Sequence, residues 1–302
     1  MNPTVTPLFT GCATALVTPM DHRAIHKEAY HSLLHAQIDA GIDALVITGT
    51  TGESATLTDS EKQYLYTTAV QTAKAKNATI PIIAGTGSNN TARAIELSIM
   101  AEEAGVDALL LVTPYYNKAS QSGLIAHFTA IAEAVTLPVI LYHVPSRTGC
   151  NLTPETCAIL SQHPRIQGLK DATGNPSFTA HVSALCGNAL PLYAGNDDSV
   201  LPLLSLGGVG VISVVSNLLP SLMVALCRAW REGDTATSLS LQKSILPLCD
   251  ALFSEVNPIP IKCAMSLCGM CHDEVRLPLD KAPEHLKRRL QGLLPAYGFT
   301  LR

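Results

Sequence analysis

One pattern recurs eight times along the chain: a short run of β-branched or apolar residues, in four cases ending in Gly or Thr, gives way to helical periodicity. The runs occupy residues 12–18, 44–49, 80–86, 108–113, 138–144, 166–171, 190–196 and 209–215. Helical stretches follow at 26–40, 59–76, 91–104, 122–134, 154–161, 176–186, 199–206 and 220–231. Local chemistry marks their ends: Thr58 stands three residues before Glu61, Thr153 precedes Pro154, and Gly41 and Gly105 follow the first and third. Strands that alternate with helices are parallel and joined by right-handed crossovers. Eight such α/β units in about 230 residues fit a closed (β/α)8 TIM barrel better than an open sheet. A doubly wound dinucleotide fold needs Gly-x-Gly-x-x-Gly after its first strand, and here that turn reads Val17-Thr-Pro-Met20. After Gly233 the alternation stops, and helices are expected at 235–253, 259–267 and 283–293. The chain therefore divides into a barrel, residues 1–233, and a helical extension, residues 234–302, which could pack on the barrel or on a neighbouring subunit.

Composition narrows the partners. With 47% hydrophobic and 15% charged residues and a net charge of −4, the 302-residue chain has the profile of a folded globular protein without a basic stripe. Small-molecule chemistry is expected rather than nucleic-acid binding. Nine cysteines are scattered through apolar stretches, and the first basic residue is Arg23, too late for a secretory n-region. A reducing, cytoplasmic compartment is the reading, with most thiols acting as small buried hydrophobes. Two local patterns point elsewhere. Residues 199–227 carry no charge, as a membrane span would, but Pro202, Gly207, Gly208, Gly210, Asn217 and Pro220 break them into helix, strand and helix. Cys268-Gly-Met-Cys271-His272 matches a haem-attachment or metal half-site, yet no second pair follows it. Neither a membrane nor a metal is expected.

A barrel of this kind does its chemistry at the carboxyl ends of its strands. Those ends carry Thr50-Thr51, Tyr115-Tyr116, Tyr142, Lys170 and Gly195. A lysine in a barrel strand either points into the low-dielectric interior or pairs with a neighbour, here Asp171. In the first case desolvation lowers its pKa and frees the amine to attack a carbonyl. That imine chemistry requires no cofactor, and none is expected. Tyr142 can shuttle protons or be a core residue with a satisfied hydroxyl. Tyr115-Tyr116 can do chemistry or roof the barrel. Thr50 and Thr51 can hold a carboxylate or form a tight turn between Gly49 and Gly52. Arg147 can grip a carboxylate or brace its loop.

Together these residues resemble the dihydrodipicolinate synthase/N-acetylneuraminate lyase family. The matching segments are Gly49-Thr-Thr-Gly-Glu-Ser-Ala-Thr-Leu57, Ile83-Ala-Gly-Thr-Gly87, Thr113-Pro-Tyr-Tyr-Asn117, Tyr142-His-Val-Pro-Ser-Arg-Thr-Gly149, Gly168-Leu-Lys-Asp-Ala-Thr-Gly174 and Asn257-Pro-Ile-Pro-Ile-Lys262. They span almost the whole chain in the family's order, and the Thr-Thr turn and Arg147 favour the synthase branch over the sialic acid lyases. The resemblance implies a Schiff base between Lys170 and pyruvate, whose carboxylate the Thr50 and Thr51 amides hold. The enamine then attacks L-aspartate 4-semialdehyde, bound by Arg147, and the product is 4-hydroxy-tetrahydrodipicolinate, on the route to diaminopimelate and lysine. Tyr142, Thr51 and Tyr116 would relay protons, with Tyr116 crossing from a neighbouring subunit of a dimer of dimers. Gly195 and Ile212 would line the pyruvate pocket through their backbones. A sister aldolase acting on another keto acid, and a barrel that binds a keto acid without turnover, are the competing readings.

Departures from the family pattern sharpen the expectations. His143 and Asn196 stand where many relatives carry Asn and Asp, which implies a changed loop hydrogen bond. Relatives inhibited by lysine bind it through positions matching Ser54, Ala55, Leu57, Asn89 and Tyr115, all retained, but use histidines and a glutamate where this chain has Asp59, Lys62 and Arg93. An unrelieved like-charge contact between Arg93 and the ligand ammonium is expected to weaken or abolish that inhibition.

Overall fold

The computed structural model describes residues 4–76 and 78–301. Among these, eight parallel strands close into a barrel: β1 (Gly11–Ala15), β2 (Ala44–Ile47), β3 (Ile82–Gly85), β4 (Ala108–Val112), β5 (Val139–His143), β6 (Ile166–Asp171), β7 (Leu192–Ala194) and β8 (Gly210–Ser213). Neighbours in sequence are neighbours in space, and β1 completes the ring by pairing with both β2 (Ala13 opposite Ala44) and β8 (Gly11 opposite Gly210). Because side chains alternate across a strand, each one feeds two cores. Leu45, Leu109, Leu141 and Leu169 face the helices, whereas Val46, Leu110, Ile140 and Tyr142 face the barrel axis. The axis is closed at its amino-terminal end by Phe9 stacked on Tyr193, ring centroids 4.4 Å apart, with the Tyr193 hydroxyl donating to the Phe9 carbonyl at 3.0 Å.

The expected end signals operate. Thr58 and Glu61 form a reciprocal capping box on the helix Asp59–Ala75, and Thr153 accepts from the Thr156 amide at the start of Pro154–Leu160. Several strands stop earlier than their apolar runs. The run at 12–18 leaves the ladder after Ala15, because Val17 turns its amide to the Asn217 side chain, 3.1 Å away, on the catalytic face. A short hairpin, Met20–Asp21 with Ala24–Ile25, and a single helical turn, Pro145–Thr148, were not foreseen; both are too short to show a period. The uncharged stretch at 199–227 resolves into Val200–Ser205, β8 and the start of Pro220–Arg231, and no helix among the described residues is long and apolar enough to cross a membrane.

The extension consists of the helices Thr235–Leu252, Ile259–Leu267 and Glu284–Leu293. It packs on its own barrel. Ser238 donates to the Leu226 carbonyl at 2.9 Å, and Gln242 donates to the Asp197 carbonyl at 2.9 Å while accepting from the Leu201 amide.

Candidate active site

Tyr142 and Lys170 are paired across β5 and β6, both on inward positions of the alternation. Gly168, two residues before Lys170, faces the same way, and a Cβ there would meet the Tyr193 ring at 3.2 Å. The Lys170 ammonium nitrogen lies 4.3 Å from the centroid of the Tyr142 ring. Asp171 points to the opposite face, where its carboxylate accepts from the Thr173 and Thr179 hydroxyls at 2.6 Å each. The pairing of Lys170 with Asp171 is therefore not made: period two sends adjacent side chains apart. Burial brings the Lys170 amine down to about 8, offset in part by Asp197 and reinforced by Arg147. Burial raises the Tyr142 phenol, while Arg147 and a hydrogen bond with the Thr50 side chain act the other way. An amine that is readily neutral thus faces a phenol that keeps its proton, the combination needed for a nucleophile and its acid.

Above them, the turn after β2 is strained and braced. Thr48 and Glu53 both lie in the left-handed region, φ 55° and 57°, which non-glycine residues hold only when the surroundings dictate it. The Thr48 hydroxyl bonds the Tyr66 hydroxyl at 2.6 Å and the Gly85 carbonyl at 3.0 Å. Gly52 and Glu53 donate back to Gly49 and Thr50. The amides of Thr50 and Thr51 donate to no group among the described residues, so two adjacent N–H donors are left for an anion. The Thr51 hydroxyl accepts from the Asn257 side chain at 2.9 Å, and the Thr50 side chain hydrogen-bonds Tyr142.

The remaining residues surround this centre. Gly195 donates to the Asp171 carbonyl at 2.7 Å, and a Cβ on it would meet the Ala172 Cβ at 2.6 Å. Ile212 is buried on the inner face of β8. Arg147, exposed on the turn Pro145–Thr148, forms no ion pair among the described residues but is near enough to act on both Tyr142 and Lys170. Tyr116 is 88% exposed with φ 74°, its amide donating to the Thr148 carbonyl at 3.2 Å; Tyr115 beside it is 40% exposed. Tyr116 thus turns outward from the centre formed by Thr50, Tyr142 and Lys170.

A model of the dihydrodipicolinate synthetase family matches residues 8–296. The chain belongs to this family. A 4-hydroxy-tetrahydrodipicolinate synthase of Nitratidesulfovibrio vulgaris is 46% identical over 291 residues, covering 96% of this chain and 99% of the relative. Among solved structures, the dihydrodipicolinate synthase of Acinetobacter baumannii complexed with pyruvate superposes with a TM-score of 0.93 at 39% identity, over 96% of this chain and 99% of that one. The enzyme from Cyanidioschyzon merolae with lysine bound gives 0.94 at 37% identity, over 98% and 100%.

The positions expected to take lysine lie on two neighbouring segments. Ser54, Ala55 and Leu57 lie on the turn that leads into the helix bearing Asp59 and Lys62, and Asn89 and Arg93 lie at the start of the next. Asn117, two residues after Tyr115, ties them in by donating to the Asn89 carbonyl at 2.9 Å. One expectation is corrected: the charge of Arg93 is not unrelieved, because its guanidinium pairs with Asp59 and, at 3.0 Å, with Glu96. Lys62 is buried and held below its usual pKa by that burial and by Arg93. His143 is also corrected. Its Nδ1 is buried without a partner among the described residues, and the ring packs on Phe178 with centroids 5.0 Å apart, so Nδ1 does not make the changed hydrogen bond. At the Cys-x-x-Cys motif, burial pushes the Cys268 thiol up to about 11 and the Cys271 thiol up to about 12, the opposite of an activated pair.

Sequence reasoning gave no role to Glu53, Asp197 or Lys262. Asp197 is fully enclosed and accepts from the Val214 and Val215 amides at 2.9 and 3.1 Å. Lys262 meets Glu53 at 2.5 Å with side-chain exposures of 0% and 1%. The available signal was a single lysine inside the apolar run Ile259–Leu267.

Proposed function

We propose that this chain condenses pyruvate with L-aspartate 4-semialdehyde to 4-hydroxy-tetrahydrodipicolinate by Schiff-base catalysis, the step that feeds diaminopimelate and lysine formation. The observation that carries this reading is the desolvated Lys170 amine beside Tyr142, with the two unused amides of Thr50 and Thr51 above it. The amides take the pyruvate carboxylate, and the neutral amine adds to the ketone carbon. Tyr142, hydrogen-bonded to Thr50, delivers a proton to the carbinolamine oxygen, which leaves as water to give the imine. Loss of a methyl proton yields the enamine, whose carbon attacks the aldehyde held by Arg147. The amino nitrogen of the adduct then adds to the imine carbon, closing the ring and returning Lys170 as the free amine. One water is lost overall. Gly195 and Ile212 shape the pocket through their backbones.

Tyr116 completes the relay from a neighbouring subunit in this reading. Its 88% exposure and outward direction in the single chain support a shared site, in a dimer within a tetramer. Mixing inactive Tyr116→Phe and Arg147→Ala subunits is expected to restore activity by forming intact hybrid sites. If the mixture stays inactive, the shared site is lost. A cytoplasmic setting fits nine free thiols, seven of them buried. Weak or absent inhibition by lysine is supported by the pairing at Arg93, which engages the carboxylates of Asp59 and Glu96 that a ligand ammonium would need.

The test is the initial rate with both substrates, coupled to the reductase of the following step, with and without lysine. Turnover unaffected by millimolar lysine is expected. A folded protein that traps pyruvate with borohydride but does not turn over the semialdehyde would transfer the assignment to another aldehyde.

A further inference from the structure

The turn that offers the Thr50 and Thr51 amides is held from a distance of about 200 residues in sequence by the carboxy-terminal region. Three contacts do this. Asn257 donates to the Thr51 hydroxyl at 2.9 Å. Lys262 donates to Glu53 Oε1 at 2.5 Å, and the Arg276 amide donates to Glu53 Oε2 at 3.0 Å. Both carboxylate oxygens of Glu53 are therefore taken by the extension. The Arg276 side chain continues the seam, bonding the Thr56 carbonyl and the Glu61 carboxylate at 2.8 Å from one nitrogen.

A buried ion pair is a poor device for stability, since well-packed apolar residues of the same volume do as well or better. What it supplies is a fixed direction. The place where that direction matters is Glu53, left-handed at φ 57°, at the end of a turn whose other end, Thr48, is left-handed too. Neither residue has an intrinsic preference for that conformation, so the orientation of the intervening amides depends on what grips the ends. Thr48 is gripped by the barrel, through Tyr66 and Gly85. Glu53 is gripped by the extension.

We infer that Glu53, Lys262 and Asn257 are positioning residues for pyruvate: through them the carboxy-terminal helices set the direction of the carboxylate-binding amides. The inference rests on the proposed reaction at Lys170. Severing the clamp leaves the amine and Arg147 in place and loosens the anion cradle. Binding of pyruvate should suffer, while binding of the aldehyde and the final yield of imine should not.

The experiment measures borohydride trapping of pyruvate against pyruvate concentration in the full-length chain, for the unaltered protein, Glu53→Gln and Asn257→Ala. Circular dichroism and thermal unfolding run alongside it. Both variants should trap one pyruvate per chain at saturation, with half-saturation raised on the order of tenfold or more and the KM for the semialdehyde unchanged. A merely structural role would instead lower the melting temperature and the trapped fraction at an unchanged half-saturation, and that result overturns the inference. Asn257→Ala removes no charge and serves as the reading if Glu53→Gln does not fold; its half-saturation remaining at the unaltered value also overturns the inference. If the unaltered protein traps no pyruvate at all, it is the proposed reaction that falls, a distinct outcome.

Discussion

Moving the Lys170 ammonium out of water takes its pKa from 10.5 to about 8, a difference that costs the folded chain about 3 kcal/mol at neutral pH. Below about pH 8 both folded and unfolded chains carry the proton, and the full penalty applies. Between about 8 and 10.5 only the unfolded chain keeps it, and the penalty fades. Lys170→Met should therefore abolish pyruvate trapping yet raise stability at pH 7 by up to about 3 kcal/mol, a gain that shrinks towards pH 10; urea unfolding at the two pH values checks this. His143 follows the same sign one strand away. Burial holds its imidazole down to about 4, so the unfolded chain binds a proton that the folded chain refuses as pH falls from 6.5. His143→Asn should remove that loss, worth about 2 kcal/mol at pH 5 and nothing at pH 8, read from melting temperatures across the range. These two residues also mark the limit of what the letters disclose. Lys170 as a possible nucleophile could be read from its strand, but its choice between the barrel axis and Asp171 depended on which face of β6 each side chain takes.

At the scale of elements, the alternation of apolar runs and helices was enough to yield the barrel, because period two against period 3.6 is a local signal that neighbouring residues carry themselves. The strand ends were legible only approximately, since the last residues of several runs leave the ladder to build the catalytic face. The clamp on Glu53 was not legible, because Asn257, Lys262 and Arg276 act on a turn that no local period connects to them. The junction after β7 shows how little room such a face allows. A methyl group at Gly195 would lie 2.6 Å from the Ala172 Cβ and 3.0 Å from the Asp171 carbonyl, and that carbonyl accepts the Gly195 amide. Gly195→Ala is expected to push β7 away from β6, lowering kcat/KM for pyruvate at least tenfold and stability by roughly 1–3 kcal/mol. Steady-state rates and thermal unfolding of the same preparation test both halves.

Across the whole molecule, the barrel fixes the chemistry and the extension reaches back over its mouth to brace it, so the two stretches of chain on either side of residue 233 share one task. The stacked Phe9 and Tyr193 rings fill the barrel at the end away from the catalytic face, so reactants and products are expected to pass through its mouth. The amine lies deeper than the exposed Arg147, so in the proposed reaction the keto acid is expected to enter first and shed its water before the aldehyde binds. An aldehyde that arrives early bars the way. Kinetics should accordingly show parallel double-reciprocal lines, and excess semialdehyde should slow the reaction in a manner that added pyruvate reverses. Intersecting lines would mean that both reactants can be inside before the first bond forms. A tube closed at one end enforces queueing, and the order of the reaction becomes a property of the plug as much as of the catalytic groups.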